Sequence, residues 1–291
     1  MTEAASRKAP RGRSLWRMSV QRLMRNPGAV SGLVVLALLV VSALIAPYVT
    51  SFDPIALSPR DRLQPPGAEH WFGTDAFGRD IFTRVMYGGR TSLQIGFVAV
   101  IISSLIGVTL GLLGGYFGGM VDQVVSRIVD VMLAFPGLLL ALAIVAILGP
   151  NLINAMIAVG ISASPNYARI TRGAVLQVKE LAFIEAAQQS GARSWRIILQ
   201  HVFPNVLGPI VVVATLGVAN AIIAGAALSF LGLGAEPPTP EWGLMLSDGR
   251  AYLRHAWWIT TFPGLAIMVT VLAINLVGDG LRDALDPRMT R

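Results

Sequence analysis

Cysteine is absent from the 291-residue chain, so no disulfide, thiolate nucleophile or Cys-based metal site is available. Lysine is almost absent as well. Neither Lys8 nor Lys179, the two present, follows a glycine-rich turn, which excludes the phosphate-cradling P-loop of a nucleotide hydrolase. The three histidines, His70, His201 and His255, stand too far apart for a zinc-binding spacing. No catalytic residue, metal site or cofactor bound by this chain is therefore expected. Charge is scarce: 13% of residues are Asp, Glu, Lys or Arg against 54% hydrophobic, with a mean hydropathy of +0.64. That is too apolar for a soluble domain.

Long apolar runs take the place of charge. Gly28–Phe52, Thr91–Val121, Val131–Ala168, Val202–Ala235 and His255–Gly278 contain no Asp, Glu, Lys or Arg. A membrane span needs ~20 residues, and the third run is long enough for two, with Gly149-Pro150-Asn151 as the turn between them. Six spans are expected. None of the runs holds an acidic residue or histidine at depth, where carriers driven by ion gradients place them. The formal charge of +7 could point to nucleic acid, but sixteen of the Lys and Arg residues fall on one side of a six-span topology against seven on the other. By the positive-inside rule both termini face the cytoplasm. The basic segment before the first apolar run is too long for a typical cleaved signal peptide, so that run reads as a retained anchor.

Along the chain, Leu15, Trp16, Val20, Leu23 and Met24 mark a short interfacial helix in the basic segment. Asn26-Pro27 opens the first span. Residues 50–90 form an outer loop in which Thr74 or Asp75 caps a short surface helix with i,i+4 pairs Asp75–Arg79 and Asp80–Arg84. Glycines 107, 111, 115 and 119 recur every four residues in the second span and allow close helix packing. Pro136-Gly137 should kink the third span. Ser162, Ser164, Pro165 and Asn166 interrupt the fourth, which reads as a candidate pathway wall. Asn220 is expected to bond across to a neighbouring helix. Trp257 and Trp258 are expected to anchor the sixth span at the headgroups.

Between two apolar runs lies EAAQQSGARSWRIILQHVFPN, residues 185–205. Its charges keep it out of the hydrocarbon. Two helical pieces, 182–190 and 194–202, flank Gly191, a residue free to turn the chain with positive φ. Trp195, Ile198, Leu199 and Val202 repeat as one apolar helical face, and Pro204 closes the second piece.

Glu185, Ala186, Ala187, Gly191 and the pair Phe203-Pro204 resemble the EAA loop of binding-protein-dependent ABC importer permeases, and His201 with Pro204-Asn205 resembles the peptide/nickel branch. Gly73, Thr74, Asp75, Gly78, Arg79 and Asp80 are similar to the GTDxxGRD hallmark of the dipeptide/oligopeptide C-type permease. Residues 228–243 and the tail 278–288 resemble the same branch. The resemblance implies an all-α integral membrane protein with six transmembrane helices, a type I ABC importer permease fold and a cytoplasmic coupling helix. It implies a division into a basic segment 1–26, a first helix with outer loop 27–91, a five-helix domain 92–280 containing the loop 182–205, and a tail 281–291. The implied partners are a homologous permease forming a heterodimer, two P-loop ATPase subunits that bind ATP and Mg, an extracytoplasmic solute-binding protein and membrane lipid, with no nucleic acid. Glu185 would make a polar contact with the ATPase, Ala186, Ala187 and Gly191 would pack closely, and Trp195, Ile198 and Leu199 would seat the helix. Arg193 and Pro204 belong to the same coupling set. The GTDxxGRD segment reads as a rigid cap or a contact with the sister permease ahead of a substrate contact. Dipeptides, longer peptides, glutathione and nickel chelates remain open as cargo, and an ion-driven carrier or a membrane scaffold remain as other classes.

Overall fold

A computed structural model describes residues 20–285, and these are helical with no strand. The helices are α1 (Pro27–Val49), α2 (Ile81–Phe117), α3 (Gly119–Leu133), α4 (Gly137–Leu148), α5 (Leu152–Lys179), α6 (Ala182–Gln189), α7 (Ser194–Ile197), α8 (Phe203–Phe230), α9 (Trp242–Gly249) and α10 (Trp258–Leu285). The expected interfacial helix of the basic segment and the end of the tail lie largely outside the described residues.

Local sequence explains the helix boundaries. The Asn26 side chain accepts from the Ala29 amide at 3.2 Å with Pro27 in the first turn, as an N-cap followed by proline should. Gly149, at φ +92°, ends α4, and Asn151 starts α5 by accepting from the Ile153 amide at 2.7 Å. Among the described residues, four helices are long and apolar enough to cross a membrane: α1, α2, the continuous rod Ser194–Phe230 and α10. The more polar α5 runs beside them.

Three expectations need correction. The outer surface helix and the second span are one 37-residue helix, α2, about 55 Å long at 1.5 Å per residue. It runs through Gly88 and Gly89, which lie against the Trp242 ring, where an added Cβ would be 3.0 and 3.3 Å from ring atoms. The third span is not a kinked rod. α3 and α4 meet at 93°, with Pro136 extended at φ −54°, ψ 129° as the cap of α4, so this crossing is a broken pair. Counting that bent pair as one crossing gives up to five membrane-length helices among the described residues against the six expected; α5, the remaining long helix, stays helical through Pro165.

The bundle is organised by α2 against α5. A Cβ added at Gly107 would lie 2.4 Å from the Ser164 carbonyl, at Gly111 2.6 Å from the Ala168 carbonyl, and at Gly115 2.8 Å from the Val175 side chain. From the other helix, Gly160 would meet Ile102 at 2.6 Å. The expected ladder thus packs, except for Gly119, which has φ +53° and no neighbour within 4 Å and serves the turn into α3. Gly111→Leu should cost at least about 1–3 kcal/mol through overpacking, seen as a lower melting temperature in detergent. Gly173→Ala, on the same α5 helix with open space around it, should be neutral or stabilising by up to ~1 kcal/mol.

Candidate functional site

The elbow is built as a pair of short helices across a left-handed glycine. Gly191 has φ +75°; its amide donates to the Gln188 carbonyl at 3.0 Å and the next amide, Ala192, donates to Ala187 at 3.2 Å. Those two bonds form a Schellman ending for α6. Nothing lies within 4 Å of a Cβ placed on Gly191, so glycine is needed there for its backbone and not for space.

Pro204 does not close the second piece. Residues 198–202 form a widened turn in which the Phe203 amide donates to the Ile198 carbonyl, five residues back, and the helix continues into α8. A proline ring clashes with the carbonyl four residues before it in an ordinary turn; the wide turn relieves that clash. Asn205 Nδ2 caps the His201 carbonyl in the same turn at 2.6 Å.

The apolar stripe on this piece is split. Ile197, Ile198 and Val202 are buried with Ile184 and Val175 in the chain's own core, while Trp195 and Leu199 are 59% and 61% exposed. Successive helical residues are rotated by about 100°, so Ile198 sits on the inward edge of the stripe and Leu199 on the outward edge. Ile198 consequently cannot seat this helix in another protein. Glu185, Ala186, Gly191, Arg193 and Pro204 are exposed and Ala187 is half-buried. Phe183 on α6 is exposed as well, so the elbow presents three large apolar side chains, Phe183, Trp195 and Leu199, among the exposed charges Glu185, Arg193 and Arg196.

The elbow is tied to the bundle by charges that sequence inspection passed over. Lys179 Nζ donates to the Tyr116 carbonyl in the last turn of α2 at 2.8 Å, where a cation also meets the negative end of the helix. Arg172 grips Asp122 of α3 with both arms, Nη2 lying 2.6 Å from Oδ2. The signal was a lone acid and a lone arginine at the ends of apolar runs, and only folding brings them together.

Above the elbow, α2, α4, α5 and α8 line a cavity of about 370 Å³ that is open on one side. Its walls are apolar apart from Ser103, Ser162, Asn166, Tyr167 and Asn220. Asn220 is exposed into it and does not bond across to a neighbouring helix as expected.

At the opposite, loop-rich end the Gly73–Asp80 segment folds in on itself. Gly73 and Gly78 have φ of +76° and +77°, and a Cβ on Gly78 would collide with the Ser58 carbonyl. Asp75 accepts from the amides of Phe77 and Arg79 and pairs with Arg79 Nε at 2.6 Å; Arg79 also reaches Asp248 at 3.2 Å. Asp80, and neither Thr74 nor Asp75, caps α2, accepting from the Thr83 amide at 2.7 Å and facing His70 at 3.0 Å. The expected Asp80–Arg84 side-chain pair does not form. Arg84, 1% exposed, turns to the Pro54 carbonyl at 2.7 Å and to Asp75 at 3.8 Å. Thr74, Asp75, Arg79 and Asp80 are all buried. Trp258 is buried too and donates to the Thr74 carbonyl at 3.1 Å, so it belongs to this cap and not to a headgroup belt; Trp257 stays exposed. Glu241, fully buried, caps α9 by accepting from Gly243 and Leu244 and from Ser92 Oγ. Burial pushes its carboxyl up, against the downward pull of those donors. Burial likewise raises Asp248, opposed by Arg79 and Arg84.

Residues 107–291, which hold the elbow and most of the cavity wall, match the family described as binding-protein-dependent transport system inner membrane component, and residues 14–66 match the N-terminal TM domain of oligopeptide transport permease C. The chain belongs to this permease family. It is 52% identical to the dipeptide transport system permease protein DppC of Alkalihalophilus pseudofirmus, over 95% of this chain and 91% of that one. It is 45% identical to the glutathione transport system permease protein GsiD of Pectobacterium atrosepticum, over 95% and 92%. Among solved structures, the inward-facing MetNI methionine ABC transporter aligns at TM-score 0.59 and 21% identity over 71% of this chain and 98% of that one. The fold is accordingly the all-helical one of type I ABC importer permeases, embedded in the membrane. In this permease the family match covers a transport component, and no enzyme family is involved.

Two substitutions probe the ends of the molecule. Gly191→Val should cost about 1–3 kcal/mol of local backbone strain, read as faster hydrogen exchange of the Ala192 amide, while Gly191→Asn, which tolerates this φ, should retain protection. Asp75→Ala leaves Arg79 and Arg84 buried with a partner removed and should destabilise the chain by about 3–5 kcal/mol, measured by thermal melting in detergent.

Proposed function

We propose that this permease carries peptides inward across the cytoplasmic membrane, powered by separate ATPase subunits that push on the elbow. The observation that carries this reading is the exposure of Trp195 and Leu199 on the 37-residue rod Ser194–Phe230, with Phe183 exposed on α6 across the Gly191 turn. A force applied to the patch moves the cavity wall directly. A tryptophan-centred patch with an arginine rim is the composition of an interaction hot spot.

The peptide assignment is supported by relatives that are dipeptide and di/tripeptide permeases by name. A glutathione permease at 45% identity supports a γ-linked tripeptide as the second reading. The excess of Arg and Lys at the elbow side favours a cytoplasmic elbow and cytoplasmic termini. The working assembly in this reading is one copy of this chain, one sister permease, two ATPase subunits and an extracytoplasmic binding protein. Glu185, Ala186, Ala187, Gly191, Arg193, Trp195, Leu199 and Pro204 then form or shape the ATPase contact, and the buried Gly73–Asp80 segment is a rigid cap and not a substrate contact. Of the expected divisions at residues 26, 91 and 280, only the first falls between helices; 91 lies within α2 and 280 within α10, so the first helix with its loop, the transport domain and the tail are joined by continuous helices.

Trp195→Ala combined with Leu199→Ser should weaken ATPase co-purification by about thirtyfold, as loss of ~2 kcal/mol at a hot spot does, and abolish ATP-dependent peptide uptake by the assembled complex. Ile198→Ala should instead lower the melting temperature, at about 2–5 kcal/mol for a truncated core residue, with less effect on docking. Unchanged co-purification of the double variant would refute the coupling assignment.

A further inference from the structure

This inference rests on the peptide-permease reading and concerns the cavity between α2, α4, α5 and α8. Asn220 lies within the uncharged run Val202–Ala235, and Asn166 one turn before Arg169 at the elbow side of α5. Both are exposed, both line the cavity, and neither amide bonds to another described residue. An amide left unpaired against lipid chains is costly, so this face does not meet lipid. None of the lining residues carries a charge. The cavity volume, about 370 Å³, is within the range of small-ligand sites.

A carboxamide offers one acceptor and two donors in a plane. A peptide group offers the complementary donor and acceptor, so the two can pair. Val159, Val213, Leu216 and Ala221 supply apolar walls that take side chains without selecting by charge. We infer that Asn220 and Asn166 form an uncharged station in the pathway that binds the backbone peptide group of the cargo. The charged ends and side chains of the cargo are not read there. Asn220 engages first and Asn166, nearer the elbow, receives the cargo afterwards.

The cysteine-free sequence makes the test direct. In the assembled transporter, reconstituted with its partner subunits, single Asn220→Cys and Asn166→Cys variants should react with a charged, water-soluble thiol reagent, which modifies only hydrated thiols. Leu105→Cys, 66% exposed on an apolar helix face outside the cavity, should stay unlabelled. Uptake of dialanine and of its ester-linked analogue, which lacks the backbone N–H, is then compared in wild type, Asn220→Leu and Asn220→Gln. Asn220→Leu should reduce dialanine uptake about tenfold, the worth of one hydrogen bond, and ester uptake much less. Asn220→Gln should restore part of the difference. The binding protein's own preference cancels in these ratios. An equal fall for both cargoes, or unreactive cysteines at both positions, overturns the station. Reactive cysteines in a wild-type-active assembly that moves no peptide overturn the peptide reading instead, and this inference with it.

Discussion

α2 can lie against α5 only because Gly107, Gly111, Gly115 and Gly160 put no side chains between them; at each, an added Cβ would fall within 2.4–2.8 Å of the other helix. In hydrocarbon there is no water to expel between two apolar helices, so close backbone approach and the dispersion contacts it permits carry much of the association. The position of everything else follows from that pair. With α5 fixed on α2, Lys179 reaches the last turn of α2 and Arg172 reaches Asp122, and these bonds set where the chain leaves the bundle to form the elbow. The same contact places Tyr167 and Asn166 beside α8 and thereby shapes the cavity.

The two ends of the molecule are built on opposite principles. The loop end is over-determined: Asp75, Arg79, Arg84, Asp80 and His70 are buried and linked by ion pairs and amide donors, with Trp242 and Trp258 closing over them. Such a network loses heavily if any member is removed, which keeps the end in one arrangement. The elbow end buries little on its outer side and leaves Trp195, Leu199 and Phe183 accessible. One end is thus held by buried polar links and the other presents an uncovered apolar surface, the arrangement on which the proposed ATPase contact rests.

Continuity through Pro204 bears on how motion would travel. A proline that ended the elbow helix would leave a joint between elbow and membrane. The widened turn at residues 198–202 removes that joint, so that Ser194–Phe230 is one rod of about 55 Å. The chain turns instead at Gly191, on the far side of the exposed helix, where the Schellman bonds hold a defined turn.

Much of this was written in local sequence. Long uncharged runs fixed the membrane class, the Gly149-Pro150-Asn151 turn and the Asn26-Pro27 start were set by capping chemistry, and Gly191 was marked by its neighbours as a turn. Those features depend on residues within a few positions of one another. What the sequence by itself determined was therefore the apolar runs, the capped helix starts and turns, the glycine turn of the elbow and the family it resembles. Tertiary structure decided the rest: that α2 runs straight through Gly88-Gly89, that α3 and α4 meet at 93°, that Ile198 turns inward while Leu199 does not, and that Arg84 leaves Asp80 for Asp75 and the Pro54 carbonyl. Each of these outcomes was chosen by a partner distant in the chain, because burial and hydrogen bonding reward whichever neighbour the packed helices bring within reach, and sequence spacing alone does not say which neighbour that is.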